Sequence, residues 1–335
     1  MGLRSMNDHT KWRIVRAAVV ILLCAAAGYI YSLNNIQRID EADISVCAGK
    51  TGRDARAQNR VIRSVLLNAG QWQAAPNADK MSLYVILGRI KGKQKDAVIA
   101  VRGPNGNYVA YYEKQGGKYR YSGAVGVYAD LRGIQIMPLR EQGGGLIVVR
   151  GGNGGDPLGE ESYIRAYAWD QGAFQTVLNI PEKYVAYYNE LWDENKPASR
   201  SNWIKLSGRS DVMWENSDAP VVHVLLHQSY SLSSSVNQRE RPDDADFDLV
   251  RSRDVFENYI WSGKWMHFIL FEGIDRQDGE PVAVIEDLSG SPFELAGQFG
   301  GAGGKYRVKY IDGTTAVVNR DRIIPNIEVK KTRKI

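Results

Sequence analysis

DAVIAVRG (Asp96–Gly103), a turn at Pro104–Asn107, YVAYYEK (Tyr108–Lys114), Gly116-Gly117 and KYRYSG (Lys118–Gly123) together decide how this chain folds. An apolar run followed by two aromatic-rich runs, joined by turns whose glycines take positive φ readily, reads as consecutive antiparallel strands. The same order returns twice. The second unit is GLIVVRG (Gly145–Gly151), a longer Gly-rich loop, SYIRAYAWD (Ser162–Asp170), Gln171-Gly172 and AFQTVLNI (Ala173–Ile180). The third is PVVHVLLHQ (Pro220–Gln228), a long polar loop, VFENYIW (Val255–Trp261), Ser262-Gly263 and KWMHFILFEG (Lys264–Gly273). The repeat predicts a mainly β fold of repeated antiparallel meanders over 80–273. Cross-strand ring contacts are expected for Tyr112 with Tyr119, Trp169 with Phe174 and Trp261 with Trp265, each contributing about 0.2–1 kcal/mol.

Upstream, RDARAQNRVIRSVLLNA (Arg53–Ala69) places Val61, Ile62, Val65, Leu66 and Ala69 on one stripe, a short amphipathic helix ended by Gly70. It serves either as a stem above a membrane or as a cap on the first sheet. Between the second and third units, 184–216 reads as an insertion that begins helical and becomes irregular, and 228–254 as a polar loop. The first insertion holds Tyr187, Tyr188, Trp192, Trp203 and Trp214. Rings in a polar insertion either anchor a partner or stack on sugars, or they pin the insertion to the sheet.

The N-terminus decides the compartment. Ala17–Leu33, AAVVILLCAAAGYIYSL, carries no charge, and Ile14–Leu33 is long enough to span a bilayer if Arg16 snorkels. Arg4, Lys11, Arg13 and Arg16 precede it against Asp8, whereas Asp40, Glu41 and Asp43 come after it. The positive-inside rule therefore predicts a single-pass signal-anchor with a cytoplasmic N-terminus and an extracytoplasmic C-terminal domain, with Tyr29 and Tyr31 at the outer interface. A signal peptide cleaved near Ala25-Ala26-Ala27 is one alternative, and a lipoprotein modified at Cys24 is another, although Leu23 is not the small residue such a site needs. All three readings export the rest of the chain. The expected organisation is a basic segment 1–16, the anchor 17–33, a stem and helix 34–79, the β-repeat 80–273, a small β-barrel 274–326 and a basic tail 327–335.

Of the formal charge of +5, residues 1–16 supply three units, so the exported part is about +2 and shows no nucleic-acid footprint. Lys330, Lys331, Arg333 and Lys334 form a short basic tail. The two cysteines are Cys24 and Cys47; with Cys24 in a membrane, Cys47 is left as a free thiol or an intermolecular bridge.

No catalytic signature emerges. His223 and His227 share a face of one strand but lie about 13 Å apart, too far for a single ion. Asp244, Asp246 and Asp248 alternate like the start of a calcium loop, without its turning glycine or closing Glu, so they read as a calcium candidate or a solvated loop. The glycines of 151–155 do not lead into the Lys-Ser/Thr of a phosphate loop. No Gly-x-Ser-x-Gly elbow is present, and nothing asks for a cofactor. A carboxylate pair for glycoside cleavage has no fixed spacing and stays open.

The repeated hairpins resemble those of exported bacterial blade-like β-repeat proteins over about 80–273, without the Asp-rich calcium loop of integrin-type repeats at Pro104–Asn107. The resemblance implies an incomplete propeller-like binding scaffold. PVAVIEDL (Pro281–Leu288), the Gly-rich run Gly297–Gly304 and KYRVKYIDGTTAVVNRDRIIP (Lys305–Pro325) resemble a small SH3-like or Tudor-like barrel over about 280–326, with Asp312-Gly313 as a type I′ hairpin turn. Alternatively this segment closes the repeat as a last blade. That likeness implies binding to wall or partner proteins, with Phe293, Phe299, Tyr306 and Tyr310 as its available rings. The expectation is thus a non-catalytic, membrane-anchored envelope protein that binds another envelope protein or a cell-wall polymer. The alternative is an envelope hydrolase or carbohydrate-binding protein acting on wall glycan.

Overall fold

The computed structural model describes residues 38–49, 54–71, 73–92, 94–139, 143–153, 158–190, 202–236, 240–290 and 304–326. Trp192, Phe293 and Phe299, the expected membrane segment 17–33 and the basic tail lie outside these residues. Among the described residues no helix is long and apolar enough to cross a membrane. The chain divides into two compact units, one comprising residues up to 87 with 96–104 and 108–124, the other 88–95, 105–107 and everything from 125 onward.

In the first unit, β1 (Arg38–Asp40), β2 (Ser82–Gly88), β3 (Asp96–Gly103), β4 (Gly106–Gln115) and β5 (Lys118–Tyr128) form a sheet in the order β1-β5-β4-β3-β2. The short helix α1 (Glu41–Ala48) precedes α2 (Ala55–Asn68). The Asp54 carboxylate caps α2 by accepting from the Arg56 and Ala57 amides, and Gly70 ends it at φ +74. Val61, Ile62, Val65 and Leu66 of α2 are buried against Val85, Ile99, Val101 and Tyr112. The stripe therefore caps the first sheet, and Asn68 of the helix donates to the Tyr112 hydroxyl at 2.9 Å. Cys47 is a free, half-buried thiol whose pKa burial pushes up to about 11, with Asp43 and Asp54 adding to the effect. The Gly116-Gly117 turn sets Tyr112 against Tyr121 (ring centroids 5.5 Å apart), so the ring partner is Tyr121 in place of the expected Tyr119.

The second unit is built on one antiparallel meander: β6 (Asp130–Leu139), β7 (Gly144–Gly152), β8 (Gly159–Asp170), β9 (Ala173–Asn189), β10 (Asn202–Glu215), β11 (Val221–Val236), β12 (Phe247–Ser262) and β13 (His267–Ile269), each beside its predecessor. Gln171 and Gly172 both have positive φ, as a type I′ turn requires, and place Trp169 opposite Phe174 with rings 5.0 Å apart, as expected. Trp261 instead meets Phe268 at 5.4 Å, because four turn residues, with Met266 at φ 47, carry Trp265 away to Ile269 and Ala283.

Two expectations fail against the strand register. The residues read as insertions, 184–216 and 228–254, are mostly the long strands β9 to β12: their serines, charges and tyrosines alternate across strands whose backbone bonds are taken up by their neighbours, with β10 paired on both sides over 203–209 and with β11 alone beyond. The second and third sequence units are also not separate blades. They are continuous in one eight-stranded sheet, while the first unit belongs to another. Leu146 and Ile164 share a core with Val222, Val224 and Phe268 from the far end of the same sheet, so the sheet curls over its inner face.

The chain continues into β14 (Phe271–Asp275), β15 (Pro281–Asp287), β16 (Lys305–Tyr310), β17 (Thr315–Asn319) and β18 (Ile323–Pro325), ordered β17-β16-β15-β14-β18 around Val282, Val284, Val308, Val318 and Ile323. A 3-10 turn at Arg320–Arg322 leads into β18. The β16–β17 turn is not type I′. Only Gly313 takes positive φ there, its amide bonding to the Tyr310 carbonyl while the Asp312 carboxylate accepts from the Thr314 amide and hydroxyl. That is a type I turn closed by a left-handed glycine.

Candidate functional site

On the outer face of β10, β11 and β12 the register aligns side chains into rungs. Ser207, Ser229 and Ser252 form one, Arg209, His227 and Asp254 the next, and Asp211, Leu225 and Phe256 a third; Met213, His223 and Asn258, then Glu215, Val221 and Ile260, complete the ladder. The inner-facing alternates, among them Val212, Trp214, Val222, Val224, Tyr259 and Trp261, supply the core. Two different surfaces result along the same strands.

At the serine rung the surface sinks. Short hydroxyl side chains lie beside the longer Lys183, Arg209, His227 and Asp254, and a cleft of about 770 Å³, lined also by Arg132, Glu182 and Val185, runs across the strands. Ser207 and Ser229 hydroxyls are 2.6 Å apart. His227 Nδ1 lies 2.7 Å from Asp254 and Nε2 3.5 Å from Asp211, and the hydrogen bond to Asp254 raises its pKa above the usual histidine range. Both ring nitrogens are thereby committed to carboxylates, so no serine here has a histidine base. His223, four residues away, lies between an amide and one acid: Nδ1 is 2.5 Å from Asn258 and Nε2 3.4 Å from Glu215. Each histidine has its own acid, and the two do not converge on one ion.

Around His223 apolar side chains alternate with polar ones. Met213 is 63% exposed, Phe256 64% and Ile260 45%, with half-buried Leu225 and Val221 between them. Strand spacings of about 4.8 Å across and about 6.8 Å between alternate residues put the nine side chains of the last three rungs in a patch of roughly 10 by 14 Å. The three exposed residues are separated by His223 and Asn258, and half-buried Leu225 and Val221 lie between their strands. The period-two alternation in DVFENYI and RSDVMWE was the signal for this face. It stays hidden while 184–216 and 228–254 are read as insertions.

The aromatic candidates do not form one site. Tyr187 is buried; its hydroxyl donates to Asp244 at 2.5 Å and its ring packs on Phe247 and under Arg241. Burial, then the Asp244 hydrogen bond, pushes its pKa up to about 12. Trp203 is buried, with its amide donating to the Ser233 hydroxyl. Tyr188 is half-buried against the Tyr184, Ile204 and Leu206 cluster, and Trp214 meets Phe268 edge-on at 6.0 Å. These rings pin the strands. Nor do Asp244, Asp246 and Asp248 converge as a calcium loop would require. Asp244 accepts from Tyr187 and pairs with Lys205 at 3.2 Å, contacts that hold its pKa below the usual carboxylate range. Among the described residues no group of three or more His, Cys, Asp or Glu could hold a metal ion.

A second cavity, about 580 Å³, opens between the curled sheet and β15–β17 and is lined by Glu257, Tyr259, His267, Glu286, Asp287 and Arg307, among others. Glu286 pairs with Arg307 at 2.7 Å, and Asp287 is held by Arg320 and the Ser289 amide and hydroxyl. Glu257 accepts from the Tyr259 hydroxyl, at 2.6 Å. Burial, then repulsion from Asp287 and Glu286, raises its pKa, while burial lowers that of His267 to about 4 and keeps that ring neutral. Compared with known proteins, the chain matches no family model and no curated protein.

Proposed function

We propose that this chain is a membrane-anchored, extracytoplasmic binding or scaffold protein of the cell envelope, without catalytic activity, whose contact surface is the outer face of β10–β12. The observation that carries this reading is the exposure of Met213, Phe256 and Ile260 on one face of a regular sheet. The uncharged segment 17–33 and its basic flank support the anchoring. Regular antiparallel sheets, the last of them SH3-like, suit a rigid scaffold; the SH3-like reading rests on the strand order β17-β16-β15-β14-β18 and the 3-10 turn before β18. Crosslinking and recovery from intact membranes tests the proposal. A protein captured by the wild type and lost, with unchanged circular dichroism, from the Met213→Ser, Phe256→Ser double variant is the expected result. Equal recovery by both sinks it.

One observation favours a second reading, hydrolysis of wall glycan. Glu257 is a carboxyl whose pKa burial raises, in a cavity it shares with the carboxyls of Glu286 and Asp287, an arrangement that general-acid catalysis uses. Release of reducing ends from purified wall glycan by the wild type, at least about a hundredfold above a folded Glu257→Gln variant, is expected if the cavity is catalytic. Equal, background-level release removes this reading.

A further inference from the structure

β12 is paired unequally on its two sides. Against β11 its ladder runs from Phe247 to Ile260, but β13 meets it only at Ile260–Ser262, because the chain then turns away and the Leu270 amide bonds to the Val284 carbonyl. Among the described residues no strand lies along the second edge of Phe247–Tyr259. Every second residue there directs its N–H and C=O away from β11, an open row that another chain can complete. The two halves of this edge differ. Toward Phe247 the register shifts between Tyr230 and Ser231, leaving Val250 without an opposite residue, and such bulges blunt an edge. From Arg253 to Ile260 the register is unbroken.

A cleft of about 540 Å³ runs beside that regular half, with Arg253–Asn258 as one wall and Leu270, Asp287, Ser289 and Gly290 lining the rest. Gly290 lies under the strand: a Cβ there would be 3.4 Å from Glu257 Oε1 and Val255 Cγ1, and its carbonyl accepts from Gln228 at 2.7 Å. The charged groups along the cleft have partners within the chain. Asp254 holds His227, Glu257 accepts from Tyr259, Arg253 donates to Gln228, and Asp287 is held by Arg320 and Ser289. What the cleft offers a ligand is therefore the backbone edge, half-buried Val255 and Leu270, and exposed Phe256.

We infer that this edge receives an extended segment of a partner protein, added as a further strand beside Arg253–Asn258. The backbone decides the occupant, since only an extended chain presents an N–H and a C=O at the spacing of about 6.8 Å that alternate edge residues have. With the charges committed, the side chains it brings to Val255 and Leu270 are apolar and recur at every second position. Ladder bonds give such a complex its affinity, and the alternate side chains its specificity. The Leu288–Gly290 turn underlies the cleft, so a single chain fits it better than the rim of a second copy's sheet. The inference goes beyond the outer face of β10–β12 and does not depend on it.

The test follows amide hydrogen exchange in the full chain in detergent, with a peptide of alternating valine and threonine flanked by lysines. At about ten times its Kd, the Asp254–Asn258 amides that point away from β11 are expected to exchange about tenfold more slowly. The same peptide N-methylated at every internal residue should have no effect, and Met213→Ser, on β10, should leave the slowing intact. Unchanged exchange at about 1 mM peptide overturns the proposal. So does equal slowing by the N-methylated peptide, which would mean that side chains and not the ladder carry binding. Loss of the slowing in Met213→Ser moves binding to the outer face and also overturns it. Amides already protected in the chain alone show an edge that is covered, and protection that grows with chain concentration, together with a dimer in sedimentation, gives the edge to a second copy; either result removes the proposal.

Discussion

Replacing Asp275 by Asn is expected to destabilise the C-terminal sheet by about 2–4 kcal/mol. Asp275 is fully buried, accepts from Arg322 Nε at 2.5 Å, the Tyr310 hydroxyl at 2.8 Å and the Gln277 amide at 3.0 Å, and so ties β14 to the end of β16 and to the turn before β18. Removing one partner of a buried pair costs about 3–5 kcal/mol, because the other charge stays behind. The lower figure applies because Arg322 is partly exposed and keeps Asp278 at 3.6 Å. The same contacts, the Arg322 hydrogen bond foremost, hold the Asp275 pKa down to about 2. A depressed carboxylate stabilises the fold in full above its ordinary pKa near 4 and loses that contribution as the pH falls toward 2. Urea midpoints read by tryptophan fluorescence, with Trp265 packed on Ala283, report both effects. The wild type should weaken between pH 4 and pH 2, and the variant should start lower and show less of that dependence. A variant within 0.5 kcal/mol of wild type at pH 7 would mean that the buried carboxylate contributes nothing net.

Phe268→Ala is expected to cost about 3–5 kcal/mol, the range for emptying a buried aromatic site. Phe268 is fully buried and meets Trp261 and Trp214 edge-on at 5.4 and 6.0 Å, in the core where β7, β8, β11 and β13 come together. The indole N–H groups of Trp214 and Trp261 have no acceptor among the described residues, so water entering the vacated volume finds donors there. Tryptophan emission should therefore shift to the red in the folded variant as well as in its unfolding transition. A lowered urea midpoint without the shift would indicate that the sheet collapses onto the gap instead of hydrating it.

Local signals were legible where one or two residues dictate backbone geometry. Gln171-Gly172 could close only a tight hairpin, and that turn by itself fixed Trp169 against Phe174. The amphipathic stripe of α2 and its Gly70 stop were equally direct, since helical spacing is written in adjacent residues. Asp312-Gly313 marked the right turn but the wrong type, because only Gly313, and not the aspartate, took the left-handed conformation. The candidate site was mostly illegible. Tyr187, Trp203 and Trp214 had the composition of anchors, yet ladder pairing turned their segment into strands and buried or half-buried the rings.

By itself, then, the sequence determined a β-rich chain, the positions of its tight turns, one amphipathic helix and the period-two alternation of each strand, all properties of neighbouring residues. Only the tertiary structure decided which strands share a sheet, that polar runs such as Ser207–Asp211 and Ser229–Ser233 are strand interiors, and that Met213 and Phe256 face outward together with His223 and His227. The physical reason is that a strand's hydrogen bonds are made by backbone groups common to nearly all residues. Pairing partner and outward face are set by segments distant in sequence, and no local pattern records them.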